Sequence, residues 1–366
     1  MNVLIAPNAF KGTIEAEDAA ELIANAIKTN YPKAVLSLSP IADGGDGTCY
    51  LLGKSLRLKQ YFKTCLDALG RPTKGYYFLT EDKRTAYLDV STVSGIKDLK
   101  DYERNPWVST TFGTGELILG AIENGATHIV LGLGGSATVD LGLGILGALG
   151  YVFLDKSGRQ LSFFSDNFLK EVAHIQKPIK KYDVHFTFLC DVENTFYGEK
   201  GAVPVFGPQK GLLPVEIELF ESLLTRLAKL FSEKTGKKIE DKDGFGAAGG
   251  IAFGLSFFFP IQIERGADWF FRQVGIDEKV KWADFILTGE GRYDAQSEGG
   301  KGSYELLQMA KKYGKKCVLI TSGNEALDAD FDRILILPEL DFSNDNFQQI
   351  ARQNLIETIL NLDFKR

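Results

Sequence analysis

A chain of 366 residues, 44% hydrophobic and 25% charged, has the make-up of an ordinary globular protein and exceeds what one hydrophobic core usually serves, so two domains are expected. Its net charge of −6, with no Lys/Arg block, leaves no electrostatic footprint for DNA or RNA. The Met1–Pro7 run lacks a basic leader, Gly254 and Pro260 interrupt the longest apolar stretch, and Cys49, Cys65, Cys190 and Cys317 form no C-x-x-C pair, so the expectation is a reduced, cytoplasmic protein that does not contact membrane.

In chain order, a strand is predicted at Val3–Ala6, a helix from about Glu15 to Thr29, a strand at Ala34–Leu38 and a helix from Gly47 onward. The middle is richer in strand signals, at Lys74–Leu79, Arg84–Val90, His128–Gly132 and His185–Cys190. It also carries one strongly amphipathic helix, with Pro214 at its start, Ile217, Phe220, Leu224, Leu227 and Phe231 at three- and four-residue steps, and Gly236 past its end. The alternation then resumes, with strands at Asp284–Leu287, Cys317–Thr321 and Arg333–Leu337 and helices at Tyr304–Tyr313 and Gln348–Leu362. Strands separated by helices of this length imply a parallel sheet. The expected fold is therefore α/β with two domains: a Rossmann-like open parallel sheet from residues 1–64 and 264–366, and an inserted mixed α/β domain over 65–263, with the active site in a cleft between them.

Five glycine-rich turns carry the chemistry, each placing acidic, hydroxyl or basic residues after a strand: Ala6–Gly12, Ala42–Thr48, Gly132–Asp140, Phe206–Gly211 and Thr288–Asp294. Glycine lets backbone approach a ligand closely and present consecutive N–H groups to phosphate oxygens. Carboxylates beside such turns suit Mg²⁺, which takes one or two from protein and fills its shell with water and nucleotide phosphates. Any one of these turns is also what a tight strand-to-helix connection looks like; turn, acid and base together indicate phosphoryl transfer. Two familiar nucleotide motifs do not fit. Gly47–Ser55 has one residue too many for a Walker A loop, and Gly142–Gly147 matches G-x-G-x-x-G but begins about nine residues after its strand, which makes close helix packing the better reading and a dehydrogenase the weaker one. His128, His174 and His185 lack metal or triad spacing and read as structural.

Six segments in order resemble the type I glycerate kinase family: Ala6–Gly12 (Ala-Pro-x-x-Phe-Lys-Gly), Ala42–Thr48 (Ala-Asp-Gly-Gly-acid-Gly-Thr), Gly134–Asp140, Phe206–Gly211, Gly246–Gly250 and Thr288–Arg292. The resemblance implies a two-domain α/β kinase that uses Mg-ATP to phosphorylate D-glycerate, giving 2-phosphoglycerate, with 3-phosphoglycerate as the other possible product, in a monomer or homodimer. The chain departs from the family pattern at Asn8-Ala9, where Asp-Ser is usual, at Val139, where Asn is common, and at Asp46, where Glu is usual. Loss of the charge and hydroxyl at 8 and 9 leaves open another short hydroxy acid as acceptor, or a non-catalytic protein that still binds a sugar acid.

The roles that follow are expectations. Gly134, Gly135, Ser136, Ala137 and Thr138 hold the nucleotide phosphates. Asp43 with Asp46 or Glu290 holds Mg²⁺, and Lys11 and Lys210 neutralise charge on the transferred group. Arg292 offers a planar fork for the acceptor's carboxylate, with Asn8, Asn194 and Lys301 as further substrate contacts. Asp191, at the end of the His185–Cys190 strand, accepts the proton of the acceptor hydroxyl.

Overall fold

The computed structural model describes residues 1–10, 12–294, 297 and 302–364. The chain forms two compact units, Met1–Asp43 with Gly266–Arg366, and Gly44–Arg265.

The first unit starts with β1 (Asn2–Ile5), the helix Ala16–Asn30 and β2 (Val35–Leu38). The second contains β3 (Lys59–Leu66), β4 (Pro72–Leu79), β5 (Thr85–Asp89), β6 (His128–Gly132), β7 (Val152–Leu154), β8 (His174–Gln176), β9 (His185–Cys190) and β10 (Ile261–Arg265). The chain then returns to the first unit with β11 (Phe285–Arg292), the helix Gly302–Lys312, β12 (Lys316–Ser322), β13 (Arg333–Leu337) and the helix Phe347–Leu360.

The first unit's five strands are ordered β13-β12-β11-β1-β2, and every pairing is parallel. Counted within the unit this is the doubly wound order 2-1-3-4-5, whose switch point lies between β1 and β11, where open α/β sheets bind ligands outside the carboxyl ends of the strands. Val3, Ile5, Leu287, Val318 and Ile320 face a core shared with Ile23, Ile27, Leu355 and Ile359 of the two terminal helices. Leu4, Ile286 and Leu319, of opposite parity, are fully buried as well, as expected for a parallel sheet covered on both faces.

The second unit's main sheet is mixed, in the order β10-β9-β6-β5-β4-β3, antiparallel through β3, β4 and β5 and parallel from β5 to β10. Because β3 pairs with β4 along its whole length, residues 44–64, grouped with the chain ends in the sequence reading, belong to this second unit. The amphipathic helix runs Ile217–Thr235 and ends on Gly236 at φ +71°, a left-handed cap suited to glycine. Its Phe220, Leu224, Leu227 and Phe231 are buried in the unit's core. Leu224→Ala is expected to cost about 2–5 kcal/mol in this unit, read as a lower urea midpoint.

The Gly142–Gly147 glycines act in packing. A Cβ on Gly144 would lie 2.2 Å from the Phe112 nitrogen, and one on Gly147 2.1 Å from the Phe163 ring. His128 and His185 stack at 4.1 Å between ring centroids on neighbouring strands, and burial pushes the His128 imidazole down to about 4, which suits a structural neutral ring. Among the described residues no helix is long and apolar enough to cross a membrane.

Candidate active site

The residues singled out from sequence fall into two groups, one in each unit. In the first unit, Asn8 and Ala9 follow β1, and Glu290, Gly291 and Arg292 end β11, so both sets emerge at the switch point. With Asp43 they line a cavity of about 910 Å³. Asn8 is buried. Its amide donates to Asp43 Oδ2 at 3.0 Å, and its carbonyl accepts the Ala9 N–H at 2.8 Å. An aspartate there would set two carboxylates against each other; the amide gives Asp43 a donor instead, a local reason for the departure at position 8. Ser297 Oγ donates to Glu290 Oε2 at 3.1 Å.

Arg292 is paired with Glu325, which lies beyond β12 and lines the same cavity. The pairing drives the guanidinium further above its usual value and holds the Glu325 carboxyl down. Glu325 was missed from sequence, because nothing local links it to a residue 33 positions earlier. Lys11 and Lys301 lie outside the described residues.

Asp43 and Glu290 in one cavity are the hard oxygen donors that Mg²⁺ accepts, and one or two protein carboxylates suffice for it. Asp46 belongs to the second unit, where its carboxylate pairs with Lys97 at 2.6 Å.

In the second unit, Gly134, Gly135, Ser136, Asp191, Gln209 and Lys210 line a cavity of about 220 Å³. The structure thus brings together the expected phosphate loop, one expected cation and the expected proton acceptor. Leu133 N–H donates to Leu189 O at 3.0 Å and Ala137 N–H to Ser94 O at 2.8 Å. Between them, the N–H groups of Gly134, Gly135 and Ser136 have no partner among the described residues. Three successive donors of this kind, on a turn whose Gly135 has φ +72°, form the concavity in which anions bind.

Lys210 is 3% exposed. Its ammonium donates to Ser136 Oγ at 2.8 Å and to Thr138 O at 2.7 Å. Burial pushes it down to about 7, partly opposed by the Asp140 charge. Thr138 Oγ1 is buried without a hydrogen-bond partner among the described residues. Backbone donors, a buried cation and a spare hydroxyl fit the phosphate groups of a nucleotide.

The loop is held from behind. Asp140, to which the sequence reading gave no role, accepts the Thr111 N–H and hydroxyl, both at 2.9 Å, and the Gly142 N–H at 3.1 Å, although burial pushes its carboxyl up. A Cβ on Gly249 would fall 2.3 Å from Val139 Cα, which explains the glycines of the Gly246–Gly250 segment as a close backbone approach. Asn194 lines neither cavity. Its amide donates to Lys200 O at 2.7 Å, a loop-shaping bond.

A Cβ on Gly134 would lie 2.2 Å from the Gly45 carbonyl carbon and 2.3 Å from the Asp46 nitrogen. Backbone there must shift to admit it, so Gly134→Ala is expected to lose about 1–3 kcal/mol of stability. Nucleotide affinity should fall with it, and thermal melts with and without Mg-ADP read both effects.

Comparison with known proteins gives the family. Residues 3–362 match the model of the glycerate kinase family. A glycerate kinase of Haemophilus influenzae is 35% identical, across 99% of this chain and 98% of that protein. The glycerate 2-kinase of Escherichia coli K12 is 32% identical over 87% and 84%. A crystal structure from Salmonella typhimurium LT2, described as a candidate glycerate kinase 2, superposes with a TM-score of 0.83 at 31% identity, covering 99% of this chain and 96% of that one. The chain belongs to the glycerate kinase family.

Proposed function

We propose that the protein transfers the γ-phosphoryl group of ATP to a hydroxyl of D-glycerate, with Mg²⁺, giving 2-phosphoglycerate. Family membership supports a kinase of glycerate. The observation that carries the donor is the Gly134–Ser136 run of unpartnered N–H groups beside the buried Lys210 ammonium.

In this reading the Gly134–Thr138 backbone holds the nucleotide phosphates and Lys210 places positive charge where the transferred group becomes more negative. The acceptor belongs to the larger cavity, where Arg292 grips its carboxylate through guanidinium donors that Glu325 leaves available and keeps oriented. Asn8 lies beside it, fixed by Asp43. Asp191 takes the hydroxyl proton, and Asp43 and Glu290 would hold Mg²⁺. When bound, that ion neutralises charge on the phosphate oxygens.

The test is ADP release from purified protein with Mg-ATP and D-glycerate, the product position read by phosphorus NMR. Glycerate-dependent turnover to the 2-phosphate supports the reading; a 3-phosphate signal would correct the position. ATP binding without turnover on glycerate would move the acceptor to another short hydroxy acid, and binding without turnover on any would indicate the non-catalytic alternative. Asp191→Asn at full turnover would remove Asp191 from its role.

A further inference from the structure

Asp89 closes β5 and is 2% exposed. Its Oδ1 accepts the Cys49 N–H and its Oδ2 the Tyr50 N–H, each at 3.0 Å. These are first-turn donors of the helix Thr48–Ser55, so the carboxylate caps that helix from a distant strand. Across the sheet, Asp89 stands in register with Gly132, the last residue of β6. A Cβ on Gly132 would lie 2.2 Å from Asp89 Oδ1, so glycine there makes room for the carboxylate.

Both neighbours of Asp89 lead to the phosphate loop. Gly132 is followed by Leu133-Gly134-Gly135, and the capped helix is preceded by the Gly44–Gly47 turn, whose Gly45 and Asp46 press directly on Gly134. The carboxylate thus closes a ring of contacts: β5 to helix, helix to turn, turn to loop, loop to β6, and β6 back to β5. Burial pushes the carboxyl up to about 7, opposed by the two helix N–H donors, which favour its charged form.

We propose that Asp89 is a positioning residue for the nucleotide: by tying the helix Thr48–Ser55 to the end of β6 it sets the geometry of the Gly134–Ser136 donors and thereby nucleotide affinity. This rests on the reading of that loop as the phosphate site.

The test is calorimetric binding of Mg-ADP to the full chain, with Michaelis constants for both substrates. Asp89→Asn keeps the size but meets one helix N–H with a donor. It should weaken nucleotide binding by about 10- to 100-fold, the worth of a hydrogen bond to a charged group, and leave the acceptor's KM within about twofold.

Gly132→Ala should act in the same direction by displacing the carboxylate, and in an Asp89→Ala background its added effect should vanish, because the clashing atom is gone. A merely structural role would lower the melting temperature and move both KM values together. If Asp89→Asn does not fold, Gly132→Ala and its cycle with Asp89→Ala decide the matter alone. Lys210→Met separates the premises. If it weakens binding while Asp89→Asn and Gly132→Ala do not, the role of Asp89 is wrong; if all three bind as the unaltered protein does, the phosphate-loop reading fails as well.

Discussion

Lys210→Met is expected to lower kcat/KM for the nucleotide by about 10²–10³-fold, the usual loss when one preorganised donor to a developing anion is removed. Methionine keeps much of the volume of the buried stem but removes the ammonium that bonds Ser136 Oγ and Thr138 O. A thermal melt near that of the unaltered protein would show that the loss is not one of folding.

The same lysine fixes a pH dependence whose sign can be stated in advance. Burial holds the free protein's Lys210 down to about 7, and phosphate beside it stabilises the charged form and raises that value. Between the free and bound values the complex carries one more proton than the free protein. Binding therefore takes up a proton, and affinity falls as pH rises above about 7, by at most about tenfold per pH unit. Calorimetry in buffers of different ionisation enthalpy measures that uptake. Uptake that survives in Lys210→Met would show that Lys210 is not the group responsible.

The parallel sheet of the first unit was legible because its strands are apolar runs bounded by turns, and β1, β2, β12 and β13 lie within one residue of their expected ends. β11 runs on to Arg292 through Gly289, Glu290 and Gly291, residues of poor strand propensity that the ladder to β12 carries across a register shift. The helix Phe112–Glu123 escaped notice because Gly113, Gly115 and Gly120 interrupt its pattern. Tertiary packing requires the first two: a Cβ on Gly113 would lie 1.7 Å from Leu66 O, and one on Gly115 2.7 Å from Ile145 Cα.

In the candidate site, Ala6–Gly12, Ala42–Thr48 and Gly132–Asp140 were legible because each follows its own strand within a few residues, whereas Phe206–Gly211 follows the short helix Ala202–Phe206 and not a strand, which the sequence had suggested. What pairs with the turns was not legible. Glu325 on Arg292 and Lys97 on Asp46 come from segments with no sequence signature of their own, and only the fold brings them into contact.

Asn8 and Asp43 give the sharpest test of the metal assignment. Asp43→Asn is expected to cut turnover by about 10²–10³-fold and to weaken Mg²⁺-dependent stabilisation, since the cavity then keeps Glu290 as its remaining assigned carboxylate ligand. Asn8→Asp acts in the opposite sense. Without metal it replaces the 3.0 Å hydrogen bond to Asp43 with two facing carboxylates, a loss of about 1–3 kcal/mol at neutral pH. Such a pair titrates above the unfolded carboxylate range, so the folded state holds the extra proton. The penalty is thus absent in acid and grows as pH rises through that range. Mg²⁺ should reverse it, because a divalent cation between two carboxylates turns repulsion into ligation, and the rise in Tm on adding Mg²⁺ should exceed that of the unaltered protein. A melt of Asn8→Asp that is indifferent to Mg²⁺ at pH 8 would place the ion elsewhere than beside Asp43.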